Sequence, residues 1–246
     1  MLAAAQNNNQ KVAMLLYHGA LVNETNADGL TALMIACANG NLEIVKLLLN
    51  CKAQVDDKCH DGWTALMIAS EIGYTGIVQL LLYQHAKVNE KNEDGMTSLM
   101  IASLNGTTEI VKLLLVANSS VNEKCMNGST ALMLASEIGC IEIVQLLLDQ
   151  QALVNEQSLE GWTAHSIASH YGHSSVVELL LQHGSRVDEH KENVILLQPK
   201  ELQKKCQRIL LQVKQFSQKC VESSSYTLSM NENYQKHNLL SQKRLI

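Results

Sequence analysis

Large aromatic rings, proline and long apolar runs are scarce in this chain of 246 residues. It holds one proline, one phenylalanine, two tryptophans and six tyrosines, and aromatic residues make up only 4% of it. Hydrophobic residues still make up 46%, so the core has to be built from aliphatic side chains and alanine. No apolar run approaches the roughly 20 residues that a membrane-spanning helix needs. We therefore expect no membrane association.

Motifs of nucleotide-binding and hydrolytic enzymes are also missing, with no phosphate-binding loop, no G-x-G-x-x-G and no nucleophile elbow. The one cluster with metal-like spacing is His170 and His173, with His165 nearby. Gly172 separates the first two, so they do not share one helical face. We expect a polar cap, or histidines that hydrogen-bond to backbone, rather than a metal site. The sequence predicts no catalytic residue and no cofactor.

Cysteine usage indicates a reducing compartment. The seven cysteines are odd in number and include no C-x-x-C pair, which is unlike a disulfide framework or a zinc site. Free thiols of this kind are typical of intracellular proteins. We expect a cytoplasmic protein, with the nucleus as the alternative.

Charge is divided unequally along the chain. Residues 1–190 carry 9 Lys and Arg against 20 Asp and Glu, whereas residues 191–246 carry 10 against 4. An acidic body argues against nucleic acid as the partner and favours a basic protein surface. The same charge would also serve simply to keep the protein in solution.

The strongest pattern in the sequence is a period of 33 residues. The ten residues from Asp61 read DGWTALMIAS, and the chain reads DGLTALMIAC 33 residues earlier and DGMTSLMIAS 33 residues later. A fixed period of this length is typical of a solenoid. One such unit cannot bury its own apolar surface, but stacked copies can.

Each unit predicts two short helices. Thr64 is a suitable N-cap for a helix from Ala65, and Gly73 is a suitable residue to end it. A second helix starts at Thr75 or Gly76, and its apolar side includes the run Ile77–Leu82. The fold class predicted from these units is all-α.

This unit resembles the ankyrin repeat in its turn, Thr-capped helix, glycine, Ile-Val and Leu-Leu-Leu helix and final Ala-x-Val-Asn. The resemblance covers about residues 1–192 and implies a right-handed solenoid with protruding fingers. The predicted divisions are a partial repeat at 1–27, full repeats at 28–60, 61–93, 94–126, 127–159 and 160–192, a helical segment at 193–222 and a disordered tail at 223–246.

The chain departs from the family pattern at two places. The family's T-P-L-H-x-A reads T-A-L-M-I-A from Thr64, so the proline and the bracing histidine are replaced. The family's turn glycine after the second helix is kept at Gly19 and Gly184. Its replacements elsewhere are Lys52, His85, Asn118 and Gln151. If that turn is left-handed, each replacement other than Asn costs about 1–2 kcal/mol.

The two ends of the chain leave alternatives open. The chain begins inside a repeat, which favours a fragment of a larger array over a frayed first layer. Residues 193–222 space their apolar side chains as an amphipathic helix, with Leu202, Ile209 and Phe216 among them. That helix either caps the last repeat or binds a partner.

By resemblance, the function is non-catalytic protein binding, as an interaction module, scaffold or adaptor. The alternative is a piece of a larger ankyrin scaffold whose missing domain carries signalling or catalytic activity. The partner is expected to be another protein, of basic character, and the chain a monomer. Ankyrin arrays use the concave side, formed by the fingertips and the exposed side of the first helices. The residues this implies are Trp63, Glu71, Ile72, Met96, Leu104, Asn105, Glu137, Ile138, Trp162, His170 and Tyr171.

The tryptophans admit two interpretations. Trp63 and Trp162 occupy the same repeat position three units apart, with Met96 between them. Exposed, they would be anchors for a bound protein. Alternatively, each packs on its own finger and stiffens the array.

Overall fold

The protein is described by a computed structural model that covers residues 1–186 and, beyond them, Gln215 alone. The predicted segment at 193–222 and the predicted tail at 223–246 therefore lie outside the described residues. Residues 1–186 form helices and turns and contain no β-strand. The helices are α1 Leu2–Ala5, α2 Asn9–Tyr17, α3 Ala32–Ala38, α4 Leu42–Asn50, α5 Ala65–Ile72, α6 Thr75–Tyr83, α7 Ser98–Leu104, α8 Thr108–Val116, α9 Ala131–Ile138, α10 Ile141–Asp149, α11 Ala164–His170 and α12 Ser174–Gln182.

Threonine begins each complete first helix, as the repeat predicts. The hydroxyl of Thr64 accepts a hydrogen bond from the amide of Met67 at 3.3 Å, and Thr97 does the same for Met100. Such a cap satisfies an amide that would otherwise lack a partner and is worth about 1 kcal/mol. Gly73 ends α5 in the left-handed region at φ 88°. The predicted helix start and stop are confirmed.

The core is a continuous aliphatic stripe through the stacked layers. Leu66, Ile68 and Ala69 of α5 are buried, as are Ile77 and Val78 of α6. The small side chain at the position of Ala69 lets neighbouring first helices approach closely. Each layer therefore buries its apolar face against the next one.

The first helices pack against one another more extensively than the second helices do. The first helices therefore form the more closely packed side of the layers. In the first layer, Met14, Leu15 and Leu21 lie exposed on the outer side.

The turn after the second helix keeps its left-handed geometry without glycine. Lys52, His85, Asn118 and Gln151 have φ between 60° and 68°, close to the 81° and 82° of Gly19 and Gly184. The turn is therefore left-handed at all four replacements, which is the condition for the expected strain. Three of these four residues are therefore held in a strained conformation by the packing around them.

The fingers are tied together from one repeat to the next. The backbone amide of Glu93 donates to the carbonyl of Asp61 at 3.1 Å, and Leu159 repeats this bond to Asn127 at 2.9 Å. A Cβ at Gly62 would lie 2.9 Å from the amide nitrogen of Glu93. Glycine at that position is therefore required by the close approach of the next finger, as well as by its positive φ.

Polar side chains reinforce the same contacts. Lys91 forms an ion pair with Glu123 at 2.7 Å, and its ammonium also donates to the carbonyl of Lys124 at 3.1 Å. On the other side of the finger, the side-chain oxygen of Asn122 accepts from the amide of Leu153 at 2.9 Å. Asn122 thus links two successive repeats.

The last full repeat corrects one prediction. His165 stands where the other repeats have a core leucine, and the sequence predicts it as part of a polar cap. It is instead buried, and its Nδ1 lies 3.0 Å from the hydroxyl of Ser185. An internal hydroxyl partner lets a histidine occupy the leucine position, because its polar atom stays hydrogen-bonded.

Candidate protein-binding surface

The exposure expected for four predicted binding residues is wrong. Trp63 and Trp162 are each only 3% exposed, and Met96 and Leu104 are buried as well. The carbonyl of Trp63 accepts from the amide of Cys59 at 3.0 Å, which holds the tryptophan inside the turn of its own finger. The side chain then covers the core beneath that finger. The structure thus agrees with the alternative interpretation, in which the tryptophans stiffen the array.

The remaining predicted residues lie on one surface, which we call the concave face. It consists of the helix ends Glu71, Ile72, Asn105, Glu137, Ile138, His170 and Tyr171 and the fingertips His60, Asp61, Glu93, Asp94, Met126, Asn127, Leu159 and Glu160. Each of the seven helix-end residues is at least partly exposed. Helices and turns of successive repeats therefore present a strip of accessible side chains.

No lysine or arginine of the described residues lies on the concave face. The lysines that lie closest in sequence to its fingertips, Lys58, Lys91 and Lys124, are on the finger flanks, paired with Glu90, Glu123 and Glu156. Lys46 and Lys112 are on the second helices, on the other side of the layers. With histidine counted as neutral, the formal charge of the concave face therefore comes from carboxylates alone.

The C-terminal half of this face is also apolar. The fingertips Met126 and Leu159 are 71% and 80% exposed, and Ile138 and Tyr171 lie partly exposed at the neighbouring helix ends. Aromatic residues and methionine are enriched in protein interfaces, whose rim is polar. Single exposed apolar residues are ordinary, but these four come from adjacent repeats.

Glu71 is held by the following repeat. The side-chain Nδ2 of Asn105 donates to the Glu71 carboxylate at 2.6 Å and to its carbonyl at 3.2 Å. Burial raises the pKa of the Glu71 carboxyl, and the hydrogen bond from Asn105 partly opposes that rise. Asn105 thus donates hydrogen bonds both to a backbone carbonyl near the end of α5 and to the carboxylate of the same residue, Glu71.

Glu137 occupies the equivalent position at the end of α9 but has different neighbours. The Nε2 of His173 donates to its carbonyl oxygen at 2.7 Å. The Glu137 carboxylate itself accepts no hydrogen bond or ion pair from the described residues. Burial raises the pKa of this carboxyl from its ordinary 4.5 to about 7.

Four rings lie together at this end of the face. The ring centroids of His170 and Tyr171 are 5.2 Å apart, and Tyr171 stacks on His173 at 6.3 Å. His170 also meets the edge of Trp162 at 5.7 Å. Among the described residues, no group of three or more His, Cys, Asp or Glu side chains could hold a metal ion.

Two side chains that shape this surface were not among the predicted residues. His173 braces the end of α9, and Tyr74 lies on the backbone of the preceding repeat, so that a Cβ on Gly40 would meet its ring at 2.5 Å. Both occupy the position directly after the turn glycine. For Tyr74 the signal in the sequence is an aromatic residue where other repeats have Asn, Thr or Cys. His173 agrees with the expectation of histidines that hydrogen-bond to backbone.

A comparison with protein families identifies the class. A family model for ankyrin repeats matches three times, at residues 1–92, 73–158 and 99–191. The chain therefore belongs to the ankyrin-repeat family, and the predicted all-α solenoid is confirmed. Ankyrin repeats are generally protein–protein interaction modules. A search of curated proteins gives no match to the chain.

Membrane insertion has no support in the part of the chain that the structure describes. None of its helices combines the length and the hydropathy needed to span a bilayer.

The described cysteines are free thiols, with Cys37, Cys59 and Cys125 buried.

Proposed function

We propose that this chain is a non-catalytic protein-binding module that holds its partner on the concave face. A role as adaptor or scaffold within the cytoplasm or nucleus follows from the same proposal. The observation that carries it is the coincidence, on one face, of exposed apolar groups and unbalanced carboxylates. Met126 and Leu159 supply the apolar fingertips, and Glu137 supplies a carboxylate without a partner among the described residues.

The mode of binding follows from the rigidity of the surface. The backbone bonds between fingertips fix the backbone from which the exposed side chains project before a partner arrives. A preformed surface loses little conformational entropy on association, so more of the contact energy appears as affinity. We propose that the partner contacts several repeats at once, because the exposed groups are spread over adjacent layers.

The experiment compares two charge-introducing double variants. Met126→Lys/Leu159→Lys alters the fingertips, and Tyr83→Lys/Val116→Lys alters equally exposed apolar residues at the ends of the second helices, 78% and 83% exposed. Both pairs keep the core intact, so both variants should melt like the parent. Proteins captured by each are identified by mass spectrometry, and the affinity of the purified candidate is then measured by calorimetry.

A partner that binds the parent and the second-helix variant equally, but loses at least tenfold in affinity for the fingertip variant, supports the proposal. A partner that is lost only with the second-helix variant would place binding on the opposite side of the layers and contradict it.

A further inference from the structure

Two repeats of this chain end their first helix in the same way. Helices α5 and α9 read A-L-M-I-A-S-E-I and A-L-M-L-A-S-E-I. Each is followed by a left-handed glycine, Gly73 and Gly139. Glu71 and Glu137 therefore occupy the same position in their helices. Any difference between them comes from the repeat that follows.

The following repeats differ at the position that faces the carboxylate. After Glu71 it is Asn105, whose amide bonds both the carboxylate and the carbonyl. After Glu137 it is Tyr171, which cannot bond both. His173 donates to the carbonyl of Glu137 instead, and the carboxylate receives no donor from the described residues. The repeat after Glu71 supplies a donor for both its carboxylate and its carbonyl. The repeat after Glu137 supplies a donor for the carbonyl alone.

A half-buried carboxylate without a donor is an unfavourable arrangement in water, because it has lost part of its hydration without replacement. A cation from outside would restore that loss. Beside Glu137 lie the ring of Tyr171, which is partly exposed, and the apolar side chain of Ile138. A guanidinium suits these neighbours, since it pairs with a carboxylate, stacks on an aromatic ring and is weakly hydrated.

We propose that the Glu137 carboxylate and the Tyr171 ring form a binding site for an arginine side chain of the bound protein. This inference rests on the proposed function and specifies the chemistry of the partner. Glu71 is less suited to this role, because Asn105 already donates to one oxygen of its carboxylate and no aromatic ring stands at the position of Tyr171. The concave face therefore has one specific cation site in addition to its general negative charge.

The test uses the parent protein with glutamate labelled with ¹³C at the side-chain carboxyl. The probe is N-acetyl-arginine methylamide, and sodium chloride at the same ionic strength is the control. The Glu137 and Glu71 signals are assigned with Glu137→Gln and Glu71→Gln. The titration midpoint of each carboxyl is measured with the probe and with the control.

Other ionisable groups near Glu137 have to be followed in the same titration. Those of the following repeat are His170, Tyr171 and His173, and its fingertip carries Glu160. The preceding repeat offers Leu104 and Asn105 at the equivalent positions, which do not titrate.

The expected result is that the arginine probe moves the Glu137 midpoint to lower pH and leaves the Glu71 midpoint unchanged, because a bound cation favours the ionised carboxylate. A probe that leaves Glu137 unmoved, or moves both midpoints equally, overturns the inference.

A second variant tests the cause of the difference. Tyr171→Asn places an amide where the preceding pair has Asn105, and it should bond the Glu137 carboxylate in the same way. We expect the Glu137 midpoint to fall without the probe and to lose its response to the probe. A Glu137 signal that still responds as in the parent would show that the open carboxylate is not the determinant.

This outcome is separable from the proposed function. If the probe binds at Glu137 but Met126→Lys/Leu159→Lys binds every captured partner as tightly as the parent does, the concave-face proposal fails and the cation site remains. If a partner binds the concave face with equal affinity in the parent and Glu137→Gln, the cation site fails and the concave face remains.

Discussion

The amide of Asn105 reaches across a repeat boundary to the carboxylate of Glu71, with 2.6 Å between Nδ2 and Oε2. The same amide lies 3.2 Å from the Glu71 carbonyl oxygen. The Asn105 side chain thus hydrogen-bonds two groups near the C-terminal end of α5 from the next repeat. Since a solenoid is stabilised by contacts between neighbours, this link stabilises the interface between two repeats.

Asn105→Ala should destabilise the fold by about 1–3 kcal/mol, because it leaves a half-buried carboxylate without its donor. It should also raise the pKa of Glu71 further, since the hydrogen bond is what opposes the effect of burial. Urea denaturation measures the first effect. Asn39→Ala is the matched control: Asn39 contacts only carbonyls, at 3.4–3.5 Å, and should cost less. An equal cost for both variants would contradict the role given to the carboxylate.

Glu137 should make the fold less stable as the pH rises. Its pKa is about 7 in the folded protein against an ordinary 4.5, so between these values the folded state holds a proton that the unfolded state releases. The stabilisation is present at low pH and is lost as the pH rises through the folded pKa. Urea denaturation at about pH 5 and about pH 8 should show a larger loss in the parent than in Glu137→Gln. Equal losses would mean that Glu137 ionises normally in the fold.

Glycine should be stabilising at the strained turn position. Gln151 has φ 61°, and its contacts through the backbone, such as the bond from Asn122 at 3.3 Å, survive substitution. We expect Gln151→Gly to add up to about 1 kcal/mol, because relief of strain exceeds the extra entropy of the unfolded chain. Denaturant midpoints of the parent and the variant provide the measurement. Asn118→Gly should gain less, since asparagine tolerates this conformation; a loss of stability in Gln151→Gly would refute the assignment of strain.

A central core residue should matter more than an exposed one of similar type. Leu99 is buried in the middle of the array, and Leu99→Ala should cost about 2–5 kcal/mol. Val116→Ala, at an 83% exposed position of the neighbouring helix, should change stability by less than about 0.5 kcal/mol. Thermal melting of both variants against the parent decides the point. Melting of Leu99→Ala at the parent temperature would be inconsistent with a core built by stacked layers.

Repetition made most of the fold predictable. Thr64 and Gly73 mark the ends of a helix because caps and left-handed glycines act locally, and the 33-residue period carries that result to the other repeats. The left-handed turn at Lys52 could be inferred because glycine fills the same position elsewhere. Periodicity also identified the fold class before any contact was known.

The burial of individual side chains and the contacts between repeats could not be predicted in the same way. The period gives Trp63 its position in the repeat, but the burial of its side chain depends on how the neighbouring layers pack around it. Glu71 and Glu137 have nearly identical local sequences, so the contacts that distinguish them come from neighbouring repeats. His165 was misplaced for a related reason, because its partner Ser185 is 20 residues away.

The most direct test of the account is hydrogen–deuterium exchange on the complex with a partner found by capture. We predict slower exchange at the fingertips around Met126 and Leu159 and at the helix ends around Glu137 and Tyr171. Exchange in the second helices near Tyr83 and Val116 should stay as in the free protein. Protection confined to those second helices, with unchanged exchange on the concave face, would contradict the account.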